Sequence, residues 1–507
     1  MTAWHPEGEP ALEVAATQGV TAPGKVKFTH ALAAIMAALA LVEITSGILQ
    51  GYYTPIMTDI ARHFNVHDAD VNWLEAAQLM FSALLVPVLA KIGDLYGHRK
   101  VLVWSTVITF AASLALAFAP SFMTFLVAWA LQGAYVVWLP LEVALIYLAA
   151  RNAAREHGQD VPALTRKAAG LLVAALESGV IVGALTAGAL VESVSLTVTL
   201  LVPAVAVGLC LIAIVIFVPR DDASTRIEAR VDWLGVALLT VMLSLLMAGL
   251  VAVRSTGVAN LWPWILVAGA VALMVPFVRH ERSHPEPIID VDLLRERTMW
   301  PVQLTAGLFG ISVLGAQAPL STFARTNPDE VGYGLGLSAA QGSYIIGLYV
   351  ITMVIGALLY VPVSRRLTPR LALMVAALCV GLGYLLFLPF HGSLLQAMTN
   401  MAIAGIGSGA MVAALPAAAA AAAPDNRTGM ATGLTNTTKT IGGALASAVF
   451  GVALFAGVSQ AAVSAGHTAA PLSGYMTVWL VCGLSSIVCA ILLTRVPKEA
   501  FTTMRER

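Results

Sequence analysis

The segment Gly93-Asp94-Leu95-Tyr96-Gly97-His98-Arg99-Lys100 lies between two long apolar runs, at 71–92 and 100–119. Its glycines permit a tight turn, its aspartate can cap a helix end, and its basic cluster resists translocation. A short charged turn between runs of about 20 apolar residues reads as a loop joining two membrane-crossing helices. A degraded second copy, Ser364-Arg365-Arg366-Leu367-Thr368-Pro369-Arg370, lies between the runs at 341–363 and 370–390.

Working outward, the same run length recurs at 31–57, 122–149, 168–191, 194–218, 232–254 and 260–279, then at 300–324, 393–422, 429–457 and 474–494. With the four runs around the two loops this predicts fourteen spans. The whole composition agrees: 59% of the 507 residues are hydrophobic and 11% charged, with a mean hydropathy of +0.84. A soluble domain carries roughly 25% charged residues. A formal net charge of zero argues against a nucleic-acid partner. Cys210, Cys379, Cys482 and Cys489 all lie in apolar runs without a Cys-x-x-Cys pair, so neither a disulfide framework nor a metal site is signalled.

An even number of spans puts both termini on one side, and the positive-inside rule selects the cytoplasm. That orientation places 24 of the 28 basic residues in cytoplasmic segments. Arg62, Arg254 and Arg325 are the exceptions in outside loops, and Lys439 lies within a span. The expected organisation is a cytoplasmic tail (1–27), a six-helix bundle (28–219), an inserted helix pair (232–280), a cytoplasmic linker (281–299), a second six-helix bundle (300–496) and a short tail (497–507). The 219–231 and 280–299 segments isolate the inserted pair. Spans 5 and 13 echo each other, Gly183-Ala184-Leu185 against Gly443-Ala444-Leu445. Repeated bundles around a central site are a recurrent transporter plan.

Gly-Asp-x-x-Gly-x-Arg-Lys between spans 2 and 3 resembles the signature loop of the major facilitator superfamily. The stretch Gly405-x-Gly407-x-Gly409, Pro416, Pro424, Gly429, Gly433, Asn436, Lys439 and Gly442-Gly443 is similar to its fourteen-helix drug:proton antiporter branch, as is Asp232-Trp233-Leu234-Gly235. The resemblance implies an all-α fold of two bundles related by a pseudo-twofold axis plus two inserted helices. It also implies alternating access, with Asp94, Gly97, Arg99 and Lys100 as a gating latch between bundles. Several positions depart from the pattern. Ala90 and Leu95 replace a glycine and an arginine of the loop, and Trp129 stands where span 4 usually carries an arginine implicated in proton coupling. In span 5, Gly179, Gly183 and Gly188 keep the small-residue packing motif, but Ala184 replaces its proline. Ser46 occupies the usual aspartate register of span 1, with Glu43 one turn earlier.

Ionisable side chains inside a span are costly and therefore candidates for function. Glu43, Glu142, Glu177 and Lys439 are the four singled out. Desolvation disfavours the charged form of a carboxylate, so such an acid can load a proton on one side and release it on the other. Gln50, Tyr53, Trp129 and Trp138 are candidate cavity residues. His280-Glu281-Arg282-Ser283-His284 fits the zinc-protease pattern His-Glu-x-x-His letter for letter. That chemistry needs both histidines on a continuing helix plus a third ligand, and Pro285 and Pro287 follow at once.

The expected function is proton-coupled export of a small amphipathic or drug-like solute by a plasma-membrane protein without catalytic activity. A proton-coupled importer remains the alternative, and a membrane metalloenzyme using His280, Glu281 and His284 a distant one. The expected partners are the solute, protons and the bilayer, with the chain monomeric and free of metal and cofactor.

Overall fold

A computed structural model describes residues 30–157, 161–220, 231–285, 287–423, 428–456, 458 and 468–496. The tails expected at 1–27 and 497–507, and most of the 219–231 linker, lie outside the described residues. Among those described, fourteen helical segments are long and apolar enough to cross a membrane. They are span 1 (Ala33–His63), span 2 (Asp68–Tyr96), span 3 (His98–Ala117), span 4 (Phe122–Tyr147), span 5 (Gly170–Val191), span 6 (Leu196–Phe217) and span 7 (Trp233–Thr256). Span 8 (Trp262–Ser283), span 9 (Trp300–Arg325), span 10 (Ala339–Arg366), span 11 (Pro369–Leu386), span 12 (Leu394–Ala422), span 13 (Met430–Phe455) and span 14 (Leu472–Leu493) follow.

Every expected span has its counterpart. The largest departure is the end of span 1, expected at 57 and found at His63. The cause is Pro55, which sits in a 3₁₀ turn, Thr54–Ile56, after which a helix resumes over Met57–His63. Proline cannot donate to the helical ladder, yet the chain beyond it keeps helical geometry. Elsewhere local sequence sets the starts. Ser121, Ser195, Asp232, Ser338, Thr368 and Ser393 each cap a span with a side-chain oxygen accepting from a first-turn backbone N–H.

The packing repeats. Span 1 lies on span 5 as span 9 lies on span 13; spans 2 and 4 pair like 10 and 12, and spans 3 and 6 like 11 and 14. The result is two six-helix bundles related by a pseudo-twofold axis, joined along two seams, 5 with 10 and 13 with 2. Gly179 and Gly183 explain the tightness of the 1–5 pair: a Cβ on either would collide with the backbone of Ile44 or Ile48. Their echo, Gly443, meets Leu314 and Gly310 of span 9 in the other bundle. Gly188 works differently, because a Cβ there would strike the Ala339 backbone of span 10, across the seam.

Spans 7 and 8 form an antiparallel pair outside the bundles. Leu239, Leu243 and Phe277 of that pair pack with Leu79 and Met80 of span 2 and Ala444 of span 13. Spans 1 and 9, the first of each bundle, are both interrupted. Span 1 breaks around Pro55, and span 9 breaks between Val313 and Gln317. Interrupted helices at corresponding positions of two repeats mark where a transporter builds its binding site.

Candidate functional site

The two interruptions face one cavity on the axis between the bundles. The first bundle lines it with Gln50, Thr54 and Pro55 of span 1 and Leu176, Glu177 and Val180 of span 5. Gln317, Leu320 and Arg325 of span 9, Ile345, Tyr349 and Met353 of span 10, Tyr384 of span 11 and Lys439 of span 13 come from the second. Most of the wall is apolar, with a few convergent polar groups, which is the usual composition of a small-molecule site.

Glu177 and Lys439 approach this space from opposite bundles. Each lies in the other's electrostatic field. Neither closes into an ion pair with the other, and both line the open cavity. The Tyr349 hydroxyl is buried in the wall without a hydrogen-bond partner among the described residues. Gln50 donates weakly to Ser46 Oγ at 3.4 Å and Gln317 to the Val313 carbonyl at 3.0 Å, which leaves both amide oxygens available.

The face on which span 1 begins is called the near face here, and the opposite one the far face. Far-face ends of the two bundles are tied together. Arg325 Nη2 donates to Asp59 Oδ1 at 2.8 Å, and its Nη1 lies 4.0 Å from Glu192. Glu192 also accepts from the Ala340 backbone N–H, and Ser321 donates to the Thr54 carbonyl. The Asp68 N–H donates to the Thr468 carbonyl at 2.9 Å. Arg254, at the end of span 7, pairs with Asp70 and sits 4.4 Å over the Phe455 ring. These contacts draw the two bundles together at this face. The cavity is therefore shut on the far side. Arg254 and Arg325 had counted only as exceptions to the charge rule; both belong to this closure.

His67 is part of the same closure. Its Nδ1 accepts from the Ala69 N–H at 3.1 Å, and its ring meets Phe455 edge to face at 5.2 Å. Burial, and then the nearby Arg254 guanidinium, push its pKa from 6.5 down to about 4. The folded protein thus holds His67 neutral where an unfolded chain would protonate it. The stability this contributes is fully present above pH 6.5 and is lost as the pH falls toward 4. Unfolding midpoints followed by tryptophan fluorescence should fall across that window, and His67→Gln should flatten the fall.

Glu43 and Glu142 do not line the cavity. They face each other across spans 1 and 4, both fully buried, and none of their four oxygens bonds to any other described residue. Cys210 is their neighbour. A third acid was not among the sequence candidates: Glu75 of span 2, beside Tyr135. It lies five residues after Asp70 in a stretch that reads as the charged edge of a span.

Of the four candidate cavity residues only Gln50 lines the space. Tyr53, Trp129 and Trp138 are a correction, because each is at most 2% exposed and packs inside the first bundle. Tyr53 stacks edge-on to Trp129 at 4.6 Å and accepts from Gln132 Nε2 at 2.8 Å. Trp138 Nε1 donates to Ser105 Oγ at 3.1 Å. Large aromatic rings in a span fill volume between helices before they line a solute path.

In the near-face loop, Gly97 turns the chain at φ 109°. Asp94 Oδ1 meets His98 Nε2 at 3.1 Å. Arg99 donates to the carbonyls of Val218 at 2.7 Å and Val215 at 2.9 Å, capping the end of span 6. These contacts of Asp94 and Arg99 lie within the first bundle. The His-Glu-x-x-His segment has a different employment. His280 Nε2 bonds the Asp232 carboxylate at 2.8 Å, fastening span 8 to the start of span 7. Glu281 accepts from the Ile289 N–H at 2.8 Å, and His284 is already outside the helix. The Gly235 N–H and His280 hold the Asp232 carboxyl below the ordinary range, against the opposing effect of burial.

Two repeated bundles around a central, mainly apolar cavity shut on one side define a membrane transporter rather than an enzyme. The chain belongs to the Major Facilitator Superfamily, whose model matches residues 39–447 and again 305–503. It is 26% identical over 454 residues to the probable actinorhodin transporter of Streptomyces coelicolor, covering 86% of this chain and 74% of the relative. It is 23% identical to the multidrug resistance protein Stp of Mycobacterium tuberculosis, over 80% and 72% of the two chains. The nucleoside transporter NupG superposes with a TM-score of 0.62 over 91% of this chain and 98% of its own, at 14% identity.

Proposed function

We propose that this protein exports a small amphipathic compound in exchange for protons by alternating access. The observation that carries the reading is the largely apolar central cavity, closed at the far face and lined by Glu177 and Lys439 from opposite bundles. Similarity to a probable actinorhodin transporter and to a multidrug resistance protein supports a drug-like solute. The near face is the cytoplasm, as the distribution of basic residues favours, and the membrane is the plasma membrane. Both termini lie on the cytoplasmic side. The moving bodies are the bundles 28–219 and 300–496, with the pair 232–280 and the linker 281–299 connecting them.

The coupling proton belongs to Glu43 and Glu142. Two carboxyl groups that face each other away from any cation are satisfied by one proton held between them. Asp94, Gly97, Arg99 and Lys100 form the latch of the opposite state. Uptake is the second reading, favoured by the loss of the span 5 proline at Ala184. Proteoliposomes under an imposed pH gradient should show proton movement on addition of particular members of a panel of cationic, neutral, anionic and zwitterionic amphiphiles. Solute movement against the proton gradient supports export, co-directional movement supports uptake, and solute movement with no proton flux refutes coupling.

A further inference from the structure

We infer that the cavity selects zwitterionic amphiphiles, seating a cationic group on Glu177 and an anionic group on Lys439. This deepens the reading of the cavity as the solute site and stands independently of proton coupling. Glu177 comes from span 5 and Lys439 from span 13, so the two charges belong to different bundles and share one space. They feel each other without pairing, and no other described side chain hydrogen-bonds or ion-pairs with either. A charge facing a mainly apolar chamber without a counter-ion is unfavourable, and a solute that supplies the counter-ion removes that penalty.

A singly charged amphiphile can satisfy one of the two groups and leaves the other exposed to an apolar guest. A neutral amphiphile satisfies neither. A molecule carrying both charges answers both, and in doing so it spans the two bundles. The remaining cation of the wall, Arg325, is already engaged by Asp59 and Glu192 and does not disturb this one-to-one balance. Gln50 and Gln317, with free amide oxygens, and the unpartnered Tyr349 hydroxyl add neutral hydrogen bonding around the pair. Selectivity of this kind comes from what the wrong ligand leaves unpaired as much as from what the right one gains.

The test uses the full-length protein in detergent and a series of xanthene dyes read by fluorescence anisotropy. One dye carries both a carboxylate and a cationic xanthene, its ethyl ester carries the cation alone, and a third carries anionic groups alone. The zwitterion should bind at least about tenfold more tightly than either singly charged dye. Lys439→Gln should abolish the preference over the ester while leaving ester binding largely intact. Glu177→Gln should abolish the preference over the anion. The exchanged double variant Glu177→Lys with Lys439→Glu should restore the zwitterion preference, which separates charge reading from damage to the fold. Equal binding of zwitterion and ester to the wild type, including no measurable binding of either, overturns the inference. So does a Lys439→Gln variant that loses all three dyes alike. Proton flux plays no part in this readout, so failure of coupling and failure of charge selection are distinguished.

Discussion

Glu43→Gln and Glu142→Gln should each cut solute-driven proton flux on the order of a hundredfold, the scale at which loss of a proton-transferring group is felt. Dye binding in detergent should survive, because neither residue lines the cavity. The pair is buried, its oxygens bond to no other described residue, and an amide in place of either carboxyl removes the group with which the other shares the proton. The double variant should be no worse than either single one, since residues acting as a unit are non-additive. Glu177→Gln should behave in the opposite manner, altering which solutes bind. Flux measured in proteoliposomes beside anisotropy in detergent separates the two. If both amide variants transport protons normally, the pair is a structural contact and the coupling site lies elsewhere, with Glu75 the next candidate.

Arg325→Gln should release the far-face closure. Arg325 joins span 9 to span 1 through Asp59 and approaches Glu192 beyond span 5, so one substitution removes links to two helices of the other bundle. Breaking a buried pair costs about 3–5 kcal/mol. This one is partly exposed, so about 1–2 kcal/mol is the appropriate scale, a shift of roughly five- to thirtyfold between states. A cysteine introduced by Gln317→Cys, in a background with the four native cysteines replaced, should react correspondingly faster with an impermeant maleimide added at the far face. Asp59→Asn should mimic the effect and add little to it. Unchanged labelling in both variants would mean that apolar packing, not the ion pair, holds this face shut.

The spans and their pairing into repeats were legible because membrane crossing imposes length and apolarity on consecutive residues. Pro55 was visible as well, although not the helix that resumes beyond it. What faces what is another matter. Trp129 and Trp138 carry no mark telling a packed ring from a cavity ring, since both sit in uniformly apolar helices. Glu177 and Lys439 were found as charges out of place, yet nothing in their separation along the chain shows that they share a chamber. Gln317 and Tyr349 come from helices whose polar residues look unremarkable singly. Arg62, Arg254 and Arg325 stood against the charge rule, and for Arg254 and Arg325 that discord pointed to the closure. A charge on the unfavoured side of a membrane is retained when a partner holds it.

The helix pair formed by spans 7 and 8 covers one of the two seams. It lies against spans 2 and 13 and is fastened at its far end by Arg254 to Asp70. The related seam, between spans 5 and 10, is packed by no described residue of that pair. The protein is thus asymmetric toward the lipid that surrounds it. An amphiphile already dissolved in the bilayer meets a double wall on one flank and a single one on the other. The single wall is the side carrying Glu177, Ile346 and Tyr349 of the chamber. Lateral entry from the hydrocarbon, as opposed to entry through the aqueous mouth, has its shorter path there.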